Sequence, residues 1–180
     1  FRYPKKGGTG AVWEKMAAFV GADKIRFNSP ARGIEPGIKS ILLDNGSIEF
    51  EYLISTIPLT QLIGMSGDFS GRLKEISKNL RHVSVHFIGV GLEGPEPKFP
   101  DKACWIYFSG KDVPFYRATI LSHYSSACVP NPDRNWSILV EAAESHYFEN
   151  DLTRLTERCL EAFKKNGLIG PENIVVSTWT

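Results

Sequence analysis

The sequence predicts an α+β fold: an antiparallel β-sheet with flanking helices, joined to a small β-meander. Short β-prone runs broken by turn residues fill positions 24–55, four longer β-rich runs follow residue 81, and Leu152, Leu155, Cys159 and Phe163 form one stripe at helical spacing. With 180 residues, 42% of them hydrophobic and 12% aromatic, the chain has enough apolar material for one or two small domains with a compact core.

Taken in order, Gly7-Gly-Thr-Gly10 leads into residues 11–19, where Val12, Met16 and Phe19 recur at helical spacing and Thr9 is placed to cap the first turn. Strands are expected at 24–27, 31–35, 40–43, 47–50 and 52–55, separated by Asn28-Ser-Pro30, Pro36-Gly37 and Asp44-Asn45-Gly46. Pro58 lacks the amide that a ladder needs, so it ends the last of them, and helical pieces are expected at 59–65 and 69–80. Residues 82–92, 103–108, 115–123 and 136–144 are expected to form one antiparallel sheet. Asn150 is the expected cap of a helix over 151–165 that ends at Asn166-Gly167 and packs its stripe on the sheet, and 174–180 reads as a final strand. The division expected is 1–81 and 82–180. A start at Phe1 and an end on an apolar strand make the chain read as a piece of a longer protein.

Charge narrows the function classes. Lys plus Arg number 21 against 20 Asp plus Glu, a net charge of +1, so no strongly signed field exists to gather nucleic acid or an anionic membrane. No apolar run is long enough to span a bilayer, and no secretory signal is visible. Cys104, Cys128 and Cys159 are odd in number and without CxxC spacing, which fits reduced thiols in a cytoplasmic protein rather than disulfides or zinc. His82, His86, His123 and His146 show no metal-ligand spacing, with His82 and His86 expected on one strand face. Glu141 and Glu144 are expected at the solvated surface, like the lysine pairs 5–6 and 164–165.

Two stretches carry chemistry. Gly7–Gly10 before a helix lets backbone approach a ligand closely, and serves equally as a tight turn and cap; it is neither a GxGxxG fingerprint nor a P-loop. In Cys104-Trp-Ile-Tyr-Phe108, alternation puts Trp105 and Tyr107 on one face opposite Ile106 and Phe108, and Arg117 of Pro114-Phe-Tyr-Arg-Ala118 is placed to join them from the next strand. Rings beside a guanidinium suit a sugar nucleotide, since the fork pairs with diphosphate oxygens. Ordinary packing with a surface arginine explains the same pattern.

The stretches FRYPKKGGTGAVW, LISTIPL, CWIYF, PFYRATILSHYS and WSILVEAAES together resemble the middle of eukaryotic-type UDP-galactopyranose mutases, over essentially the whole chain. LISTIP is shared with the wider flavin-containing amine oxidase superfamily. The resemblance implies a fragment of a larger FAD-dependent isomerase that interconverts UDP-galactopyranose and UDP-galactofuranose, with N5 of reduced FAD as nucleophile and no side chain of this chain catalytic. It further implies that Arg117 binds the diphosphate of the UDP-galactose substrate, Tyr107 hydrogen-bonds to it, Trp105 lines the pocket, and Ala31, Gly7 and Gly8 lie at the FAD. Residues 1–81 then belong to the FAD-binding region and 82–180 to the substrate sheet. The dinucleotide fingerprint, a histidine loop beside the flavin and later flavin-binding segments lie outside the sequence, so the chain by itself is expected to be inactive. Where relatives read SNYS this chain has Ser122-His-Tyr-Ser125. Competing expectations are a flavin-dependent amine or protoporphyrinogen oxidase, which needs no diphosphate-binding arginine, and a non-catalytic nucleotide-sugar module.

Overall fold

A computed structural model describes residues 2–67, 71–98, 103–110 and 112–180. Its backbone is α+β, as expected, and it divides into two compact units: residues 1–16 with 83–180, and residues 17–82. The first sixteen residues, grouped with the meander on sequence grounds, are in the unit that holds the larger sheet, and the division falls inside helix α1, Gly10–Val20.

In the smaller unit, β1 (Ala31–Glu35), β2 (Ser40–Leu43) and β3 (Gly46–Glu49) form an antiparallel meander in that order. Gly46 turns the second hairpin at φ 112°, a conformation open to glycine, and exposed Arg32 pairs with Asp44 across the first, holding that carboxyl below the usual carboxylate range. Two expected strands are absent. Residue 24 closes a 3-10 turn at Ala22–Lys24, 25–27 form no strand, and 52–55 run irregular and exposed. Both are β-prone in composition, but neither meets a neighbouring strand, and unpaired backbone groups do not make a ladder. Helices α2 (Leu59–Met65) and α3 (Gly71–Ser77) follow Pro58, and the beginning of the helix expected at 69–80 lies outside the described residues.

The larger unit holds a five-stranded antiparallel sheet of β4 (Ser84–Glu93), β5 (Trp105–Tyr107), β6 (Arg117–Ile120), β7 (Asn135–Glu144) and β8 (Ile174–Trp179), in the order β5-β6-β7-β4-β8. The expected strand at 115–123 is cut short at both ends. It yields to a 3-10 turn at Leu121–His123, and His82 falls outside β4, so it does not share a strand face with His86.

Alternation gives the sheet two different faces. Ile88, Val90 and Leu92 of β4, Ala118 and Ile120 of β6, and Ile138, Val140 and Ala142 of β7 point to one side and are buried. Helix α4 (Leu155–Lys165) adds Leu155, Cys159, Ala162 and Phe163 to the same core, and the Phe163 ring meets Phe115 at 5.5 Å. The helix starts later than expected: Asn150 Nδ2 donates to Ala143 O at 2.8 Å, and Asp151 Oδ1 accepts from Thr153 N at 3.1 Å in a turn that precedes the helix. Leu152 therefore lies before the helix and is half exposed. Gly167, at φ 68°, ends it, with Leu168 N returning to Phe163 O at 2.9 Å in a glycine-terminated cap. Among the described residues no helix is long and apolar enough to cross a membrane.

Burial pushes the Cys159 thiol up to about 12. In native protein near neutral pH, a thiol reagent should therefore label Cys104 and Cys128, which are partly exposed, and reach Cys159 only after unfolding. Phe163→Ala should lower unfolding free energy by about 3–5 kcal/mol in denaturant titration, because it empties the contact between helix and sheet.

Candidate functional site

The other face of the sheet is built differently. The pairing register sets Tyr107 opposite Arg117, Arg117 opposite Glu141 and Glu141 opposite Phe87, one row across four strands. The next row on the same face runs Trp105, Thr119, Leu139 and Gly89. A further step along β4 is Gly91, where an added Cβ would come within 2.5 Å of Ser177 Oγ. Glycine keeps the floor of the sheet low there, and a cavity of about 600 Å³ opens above it.

Among the described residues that line this cavity, Arg117 is the cationic side chain. Its guanidinium carbon lies 5.6 Å from the Trp105 ring centre and 5.9 Å from that of Tyr107, so the expected convergence of the two rings and the arginine is present. Nη1 faces the Tyr107 hydroxyl at 3.5 Å, a long contact. The opposite edge of the fork is committed: Nε and Nη2 donate to Glu141 Oε1 at 2.8 and 2.5 Å. The Tyr107 hydroxyl and the Glu141 carboxylate hold the guanidinium pKa above the ordinary arginine value.

Glu141 is not at the surface, where its isolated position in the sequence placed it. Its residue is 5% exposed, and the carboxylate is satisfied on both oxygens, Oε1 by Arg117 and Oε2 by the Tyr116 hydroxyl at 2.6 Å. That donated bond raises the Tyr116 pKa, with burial adding to it. A buried charge persists only when paired and hydrogen-bonded, and this one has both. A strand over 136–144 was expected from the sequence, but that Glu141 faces Arg117 depends on a register between β6 and β7 that local sequence does not encode.

The N-terminal stretch completes the wall. The Tyr3 ring sits 4.9 Å from Tyr124, which meets Trp105 edge-on at 6.4 Å, and Ser125 Oγ donates to Lys5 O at 2.7 Å. Burial raises the pKa of both Tyr3 and Tyr124. Neither tyrosine was singled out from the sequence, since each is one aromatic among many until the fold brings it to the cavity.

Gly7 and Gly8 adopt φ of 76° and 59°, and a Cβ at Gly7 would come within 2.9 Å of Ala11 Cβ, so the turn itself requires glycine; Thr9, directly after them, reaches the cavity. Ala31 belongs to the other unit, exposed at the start of edge strand β1. His86 pairs with Glu144 at 2.6 Å on the opposite face of the sheet from Arg117. Among the described residues no group of three or more His, Cys, Asp or Glu is placed to hold a metal ion.

No family model matches the sequence. In three dimensions, 98% of the chain matches part of a UDP-galactopyranose mutase, whose crystal structure is of the reduced form, with a TM-score of 0.91 and 34% sequence identity. The chain spans 38% of that enzyme, and the resemblance read from the sequence holds along it. A Pyrococcus furiosus protein matches 97% of the chain at a TM-score of 0.69, with 42% of its own length spanned; at 15% identity it shows a shared fold.

Arg117→Ala strands a buried carboxylate and should cost about 3 kcal/mol of stability, whereas Arg117→Ala combined with Glu141→Gln should recover most of that loss in thermal unfolding.

Proposed function

We propose that this chain, a segment of a UDP-galactopyranose mutase, forms the wall of the nucleotide-sugar site that grips the diphosphate, within an intact flavoenzyme that interconverts UDP-galactopyranose and UDP-galactofuranose. The observation that carries the reading is Arg117, fixed over Trp105 and Tyr107 by Glu141 on the cavity wall.

Its chemistry follows from the donors that remain. Glu141 takes Nε and one side of Nη2, leaving Nη1 and the outer Nη2 hydrogen for an anion. The Tyr107 hydroxyl beside Nη1 adds a donor for a second oxygen, and Trp105 offers an apolar face to a sugar or base. Glu141 holds the guanidinium in one orientation before ligand arrives, which lowers the ordering cost of binding. It also cancels the arginine charge locally, so full neutralisation of a diphosphate requires cations beyond the residues that line this cavity. The chain by itself should bind UDP weakly and catalyse nothing.

A reduced FAD, when bound in the intact protein, would supply the nucleophile toward the sugar's anomeric carbon. By the resemblance, the turn of Gly7 and Gly8, followed by the bare backbone of Gly10 where nothing lies within 4 Å of an added Cβ, would lie at this cofactor. These residues would hold the cofactor, while Arg117 and Tyr107 would fix the leaving diphosphate so that the sugar carbon is presented in one orientation.

The buried Glu141 supports a second reading, in which Arg117 is only a cross-strand tie. A UDP titration of the intact protein separates the two. Arg117→Ala in a Glu141→Gln background should weaken UDP by roughly 1.5–3 kcal/mol relative to Glu141→Gln alone if the guanidinium meets the diphosphate. Equal affinity in the two variants leaves the tie and removes the diphosphate contact. Mutase activity that requires a reductant, without peroxide release on an amine, would separate the isomerase from a related oxidase.

A further inference from the structure

Behind the Trp105–Tyr124 wall lies a histidine whose two nitrogens both meet acceptors. His123 Nδ1 contacts Ala103 O at 3.0 Å, and Nε2 contacts Glu96 Oε1. A carbonyl has no hydrogen to give, so Nδ1 carries the proton of the first contact. The second contact therefore needs one more proton, carried by the imidazole or by the carboxyl. Once the pair loses it, an imidazole lone pair faces a carboxylate and the bond becomes a repulsion.

The position of this pair gives the proton a mechanical role. His123 ends the turn that carries Tyr124, Ala103 lies two residues before Trp105, and Glu96 comes from the loop after β4, which Asn173 pins by donating to Pro95 O at 2.8 Å. The pair is largely shielded, with side chains 23% and 29% exposed. Other ionisable groups on the surrounding elements are Glu93, already paired with Arg134, Lys98 on the same loop, Glu172 beside Asn173, and the neighbours Cys104 and Tyr124. Among the described residues, Glu96 is the acidic group bonded to the imidazole.

We infer that His123 and Glu96 form a proton-dependent staple that positions the Trp105–Tyr124 wall, so that the nucleotide site loosens once the pair gives up its shared proton. His123 is a positioning residue, acting through the wall. The coupling to ligand rests on the nucleotide reading above; the staple itself does not.

Hydrogen exchange on the intact, ligand-free protein tests it, with rates corrected for intrinsic pH dependence. Between about pH 5.5 and 8, amides of 103–107 should lose about ten-fold of their protection in the native sequence. In Glu96→Gln the change should stay under about two-fold, because the glutamine amide accepts from a protonated imidazole and donates to a neutral one. The same loss in Glu96→Gln as in the native protein, or none in either, overturns the staple. UDP titrations at both pH values supply the second arm. The ratio of native to Glu96→Gln affinity should fall with pH, and a constant ratio beside a changing protection overturns the coupling. If UDP binds no variant, the nucleotide reading fails and the exchange data alone decide the staple.

Discussion

The buried carboxylate of Glu141 fixes the arrangement of everything on the front of the large sheet. Removing a charge from water costs several kcal/mol unless partners replace the lost hydration, and Glu141 obtains them from Arg117 on the adjacent strand and from the Tyr116 hydroxyl. Once the carboxylate holds Nε and Nη2, the guanidinium plane is set, and its free edge is aimed along the row toward Tyr107. Trp105, one pleat further along β5, then covers the same cation. A flexible surface arginine is thereby turned into a fixed element of a cavity wall.

The sheet makes this economical by using its two faces for different work. On one side aliphatic residues from three strands and the apolar stripe of α4 form a dry core, which supplies the cohesion. That leaves the other side free of the need to bury hydrophobic area. It carries the polar row, a glycine floor at Gly89 and Gly91, and aromatic walls instead. The rigidity of the first face is what makes the geometry of the second reproducible, since strands locked by a packed core hold cross-strand neighbours at fixed separation.

Much of this was legible in the chain. The period of two in 103–108 put Trp105 and Tyr107 together, the stripe of 155, 159 and 163 announced a helix on a sheet, and Asp44-Asn45-Gly46 marked a hairpin that exists. The failures share a cause. Residues 24–27 and 52–55 have β-prone composition but no neighbour to pair with, and Asn150 had the chemistry of a cap but the turn ahead of the helix is closed by Asp151 on Thr153 N instead. Local preference proposes an element, and the availability of a partner disposes of it.

The sequence by itself determined which faces the strands present, where the chain turns, and which cation and rings were candidates, because those follow from periodicities and backbone preferences within a few residues. Only the tertiary structure decided that Glu141 lies buried against Arg117, that Tyr3 and Tyr124 stand in the same wall, and that His123 reaches Glu96. Each of those contacts joins residues more than twenty positions apart or on strands whose register is set by the packing of the whole sheet, and no local pattern carries that information.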